Sequence, residues 1–71
     1  KRVVVKKGRR VVLVVRSALS GDVHVHGYDL KQTVRAGGTA RLRLVCSLVG
    51  RFEVELHARV PLQLAVIEVR P

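Results

Sequence analysis

Arg41-Leu42-Arg43-Leu44-Val45-Cys46 and, a short way on, Phe52-Glu53-Val54-Glu55-Leu56-His57 decide how this chain folds. Both alternate apolar and polar side chains with a period of two, the repeat of a strand with one dry face and one wet face. Leu42, Leu44 and Cys46 share the dry parity of the first, and Phe52, Val54 and Leu56 that of the second. Glu53, Glu55 and His57 are thereby left together on a wet face. Outward from these stretches, punctuation at Lys7-Gly8, Ser20-Gly21, Ala36-Gly37-Gly38, Gly50 and Pro61 cuts the rest into short Val-rich runs. Strands are predicted at Arg2 to Lys6, Arg10 to Arg16, Asp22 to Gly27 with a short continuation at Lys31 to Val34, Thr39 to Cys46, Arg51 to His57, and Leu62 to Val69. No window has helical apolar spacing and no repeat is present. An all-β sandwich or small barrel follows, largely antiparallel because no helix is available to cross over to a parallel strand. Val11 to Val15, apolar on both parities, reads as a central strand covered on both faces.

At 71 residues the chain makes a single domain, 1–71, close to the size at which an apolar core alone holds a fold. Its 48% apolar content is mainly Val and Leu, with Tyr28 and Phe52 the only aromatics and no methionine, a composition that suits pleated strands. No apolar run approaches the roughly 18 residues that span a bilayer. The first residue, Lys1, already enters a strand-like run, so the chain is expected to be a segment of something longer, whose flanking sequence could carry a membrane anchor. Cys46 is the one cysteine and sits on an apolar parity, which reads as a buried, inert thiol. The net charge is +9, and Lys1, Arg2, Lys6, Lys7, Arg9 and Arg10 crowd the first ten residues. Such an edge attracts nucleic acid, anionic membrane or an acidic protein, or simply keeps a strand edge solvated.

The distinctive chemistry lies in Val23-His24-Val25-His26-Gly27-Tyr28-Asp29 and Glu53-Val54-Glu55-Leu56-His57, which hold all three histidines. His24 and His26, two apart on a strand, project to one face, and His57 shares a parity with Glu53 and Glu55. If the two strands are neighbours, imidazoles and carboxylates gather into a nitrogen and oxygen site that suits Cu(II), Ni(II) or Zn(II). A plain polar or pH-sensitive cluster is the alternative. Tyr28 and Asp29 are expected to shape the turn or to hydrogen-bond the histidines.

The segments DVHVHGYDL (Asp22 to Leu30), VRAGGTARLRL (Val34 to Leu44), GRFEVELH (Gly50 to His57) and LQLAVIEV (Leu62 to Val69) together resemble the cupredoxin-type domains of bacterial extracytoplasmic proteins. The resemblance implies a small Greek-key β-sandwich, an extracytoplasmic location, and copper held at one end of the sandwich. By position, His24 falls where such domains place their first copper-ligand histidine. Leu56-His57 stands where a blue-copper protein has its cysteine, no methionine exists, and Cys46 lies one strand too early, so a type-1 electron-transfer centre is not expected. A cupredoxin ligand histidine takes the inward parity, whereas inward Val23 and Val25 would turn His24 and His26 to solvent. Such domains also carry a further strand ahead of the one that begins here. Without it, an edge near Val3 to Val5 is left for a partner chain, a dimer mate or additional sequence.

Three functions are in contention. The first is a metal-binding module without catalysis, copper or else zinc, with His24, His26, His57 and Glu55 as ligand candidates and Glu53 behind them. The second is a metal-free sandwich that binds another protein or its own copy through an edge strand. The third, a small basic barrel on nucleic acid, is weakened by the shortage of aromatic platforms. No nucleophile and base stand in a recognisable order, so no enzymatic activity is expected.

Overall fold

The computed structural model describes all residues, Lys1–Pro71, and is built from strands alone. In chain order they are β1 (Arg2–Lys6), β2 (Arg10–Ser17), β3 (Gly21–Val25), β4 (Leu30–Val34), β5 (Gly38–Val45), β6 (Gly50–His57) and β7 (Pro61–Arg70). Each predicted run is a strand within a residue or two. The continuation at Lys31 to Val34 is a strand of its own, split from β3 by a turn in which Gly27 (φ 86°) and Asp29 (φ 50°) take left-handed conformations.

The strands form two open sheets, β1-β7-β6-β3-β4 and β2-β5, faced against one another as a β-sandwich. The small-barrel alternative is excluded, because the second sheet holds only two strands and does not close on the first. Pairing is antiparallel for β2–β5, β3–β4, β3–β6 and β6–β7, as expected. The exception is β1, which lies parallel to β7 from Arg2 opposite Val66 to Lys6 opposite Arg70. No crossover helix is needed, since these are the first and last strands and the rest of the fold connects them.

Alternation does what the sequence demands. Val23, Val25, Val54, Leu56, Ile67 and Val69 point inward from the five-stranded sheet, and Ala40, Leu42 and Leu44 from β5, followed by Cys46, meet them. Burial pushes the Cys46 thiol pKa up, away from the thiolate form. The expectation for Val11 to Val15 is corrected: Val12 and Val14 are more than half exposed, at 53% and 54%, because nothing lies on the outer face of the two-stranded sheet. Five valine and leucine residues in a row reflected an uncovered β-rich strand, not a central one.

The hairpin between β3 and β4 is tied to the loop after β5. The Tyr28 hydroxyl donates to the Leu48 carbonyl (3.0 Å) and accepts from the Leu48 N–H (3.2 Å), while its ring meets Phe52 edge-on at 4.7 Å. Tyr28 thus shapes the turn and does not bond the histidines. A Cβ on Gly27 would come within 2.5 Å of the Phe52 ring, so this turn requires glycine for space as well as for φ.

Ile67→Ala, which empties a fully buried position, is expected to cost about 2–5 kcal/mol in denaturant unfolding. The same truncation at Val12 should stay within about 0.5 kcal/mol, as on any exposed surface. Equal losses at the two sites would contradict the uncovered outer face of β2.

Candidate metal centre

The β3–β6 ladder assembles the site. Register places Asp22 opposite His57, His24 opposite Glu55 and Val25 opposite Val54, and the His26 N–H continues the ladder to the Glu53 carbonyl at 2.9 Å. Because Val23, Val25, Val54 and Leu56 are all driven into the core, His24, His26, Glu53, Glu55 and His57 emerge together on the outer face. The sequence left open which face carries His24 and His26; it is the solvent face of the five-stranded sheet. This departs from the inward, sandwich-end placement that the cupredoxin resemblance implies.

The three imidazoles pack as a group, with ring centroids 4.8 Å apart for His24 and His26, 5.3 Å for His24 and His57, and 6.2 Å for His26 and His57. One ligand atom from each can be chosen so that all three lie within 4.8 Å of one another, and His26, Glu53 and Glu55 form a second such set. His26 belongs to both. Glu55 Oε1 is the hub on the carboxylate side, 2.5 Å from His26 Nε2 and 3.3 Å from His57 Nε2. Glu55 Oε1 thus partners both His26 Nε2 and His57 Nε2. His24 Nδ1, by contrast, is enclosed by protein and has no hydrogen-bond partner. An enclosed imidazole nitrogen without a partner loses its hydration for no return, unless something else occupies its lone pair or takes its proton.

A carboxylate charge lies among the imidazoles. The contact with His57 holds the Glu55 carboxyl below its ordinary value of 4.5, helped by His26 and opposed by partial desolvation. On the β4 side, Lys31 stands opposite His24 and lies 3.9 Å from Asp22, whose other oxygen accepts from the Thr33 hydroxyl at 2.9 Å. Asp22 thus pairs with the lysine that stands opposite His24.

All four ligand candidates read from the sequence, His24, His26, His57 and Glu55, are brought together, and Glu53 joins them. Two structural contributors were not recognised. Gly21 allows β3 to approach β6 so closely that a Cβ there would meet the His57 carbonyl oxygen at 2.6 Å. Leu64 forms a bulge in β7, which pairs Val54 with Ala65 but Glu55 with Gln63 and so bends β7 beside Glu55. The glycine was visible only as a turn residue and the bulge had no sequence signal. No family model matches the chain, and no curated protein matches it at a significant level.

A carboxyl held below its ordinary pKa contributes stability that is complete above that ordinary value and is lost as pH falls through the folded one. Glu68, held low by Arg70 with help from Arg2 and Arg51, behaves likewise. Thermal unfolding followed from pH 6 downward should therefore show a shallower acid loss in Glu55→Gln than in the parent, and a shallower one still in Glu55→Gln/Glu68→Gln. Parallel profiles for all three proteins would refute the pairing of Glu55 with the imidazoles.

Proposed function

We propose that the protein is a metal-binding β-sandwich module that holds one divalent transition ion, Cu(II) or Zn(II), through His24, His26 and His57. Glu55 completes or supports the ligand set. The observation that carries this reading is the cluster of three imidazoles beside a carboxylate, with one enclosed, unpartnered nitrogen, His24 Nδ1, among them. Neutral imidazoles with a carboxylate suit borderline ions and are poor hosts for calcium or magnesium, which prefer all-oxygen sets.

The fit is loose but workable. Two nitrogens on one ion sit at most about 4 Å apart with bonds of about 2 Å, so a set that spreads to 4.8 Å must draw inward on loading. His26 and His57, each 44% exposed in the side chain, have the room to do so. The bound ion would supply a fixed positive charge to the outer face and would clamp β3 to β6. No cysteine thiolate is within reach, since Cys46 belongs to the core. The kinship proposed with cupredoxins therefore extends to the two-sheet frame, not to the position of the metal. We assign the module no catalytic step.

Calorimetric titration of metal-free protein with Cu(II) should give one ion per chain. His24→Ala and His57→Ala should each weaken binding by about tenfold or more, and Glu55→Gln by about 10–100-fold if it orients the imidazoles instead of ligating. Binding should also weaken as pH falls, because imidazole must be neutral to ligate. Heat indistinguishable between the parent and both histidine variants would sink the proposal.

A further inference from the structure

We propose that the open edge of β2 is a docking site for an extended, acidic segment of another protein, which joins the β2-β5 sheet as a third strand. The two sheets are unequal. Ala40, Leu42 and Leu44 of β5 are sealed, whereas Val11, Leu13 and Val15 on the same inner face of β2 stay half-buried. Beside them runs a groove of about 480 Å³, floored by Val3, Val54, Leu64 and Ala65 of the larger sheet and flanked by Lys1 and Arg16. It lies where a strand neighbouring β2 would place its inward side chains.

The backbone is ready for such a strand. The Cys46 N–H bonds the Arg9 carbonyl at 2.8 Å, which sets the phase of the β2–β5 ladder. Val11, Leu13 and Val15 then bond β5, and Val12 and Val14 turn their N–H and C=O groups to the open side. An edge of this length with apolar side chains on both faces invites a further strand.

Charge identifies the occupant. The outer face of the sheet carries Arg10, Arg16, Arg41 and Arg43 around Val12 and Val14. All five carboxylates of the chain lie elsewhere, on β3, β6, β7 and the β3–β4 turn, and none is on β1, β2 or β5. A strand that alternates apolar residues toward the groove with Asp or Glu toward solvent satisfies both faces. A second copy fits less well: it would bring two arginine-bearing edges together, on two chains of net charge +9, with no carboxylate on either β2 or β5 to offset them. Nucleic acid fits poorly too, because the groove floor is aliphatic and the sheet offers no aromatic ring for a base to stack on.

The test is an NMR titration of the 71-residue protein with the capped peptide Glu-Val-Glu-Val-Glu-Val-Glu, its Lys-for-Glu counterpart and a thymidine oligonucleotide. The acidic peptide should bind, slow amide exchange at Val12 and Val14, and lose about tenfold in affinity in Arg41→Glu/Arg43→Glu, with strong salt dependence. Val14→Pro removes an N–H on the open side and should abolish the contact; the double arginine variant keeps the test intact if the proline variant fails to fold. Equal binding of the Lys peptide, preference for the oligonucleotide, concentration-dependent dimers through β2, or perturbations confined to β1 or β4 would each overturn the proposal.

Discussion

The hydrogen-bonded ladder between β3 and β6 is the constraint on which the rest depends. Its inward residues, Val23, Val25, Val54 and Leu56, are among the most buried in the chain, so neither strand can rotate or slip by one residue without exposing its share of the core. With that register locked, the intervening residues have no choice but to meet outside. The imidazole and carboxylate cluster is therefore the obligatory reverse side of the hydrophobic core. A site of this origin is held by packing from behind, and its precision comes from strands instead of loops.

Closely spaced strands alone would not produce it. Gly21 removes the side chain that would push β3 away from the His57 end of β6, and the β7 bulge at Leu64 falls beside the step from Val54 to Glu55. The two sheets differ in polarity: every carboxylate and imidazole lies on the larger sheet or its β3–β4 turn, among Arg2, Lys31, Arg51 and Arg70, whereas the outer face of the smaller carries arginines and valines without an acid. The two proposed interactions therefore use different faces.

The sequence was informative wherever one face of a strand is dry and the other wet. The strict alternation of Arg41 to Cys46 and Phe52 to His57 gave their orientation, the burial of Cys46 and the shared face of Glu53, Glu55 and His57. That β3 lies beside β6 was conditional, since pairing between strands distant in sequence leaves no local mark. Runs of uniform character were ambiguous for the opposite reason. Val11 to Val15 has no parity to read, so exposure of Val12 and Val14 depended on how many strands the second sheet contains, a global property. The parallel pairing of β1 with β7 is hidden likewise, because it joins the two ends of the chain. The facing of His24 and His26 was in principle legible from Val23 and Val25, and only the family resemblance argued for the other side.

The most direct test of the central claim, that outer-face imidazoles form a metal site without a thiolate, is electron paramagnetic resonance of the protein loaded with one equivalent of Cu(II). An axial spectrum with wide copper hyperfine splitting and nitrogen couplings from imidazoles is expected, with the couplings reduced in His24→Ala and His57→Ala. A narrow copper hyperfine splitting with an intense visible thiolate band, or a spectrum without histidine nitrogen couplings, would contradict it.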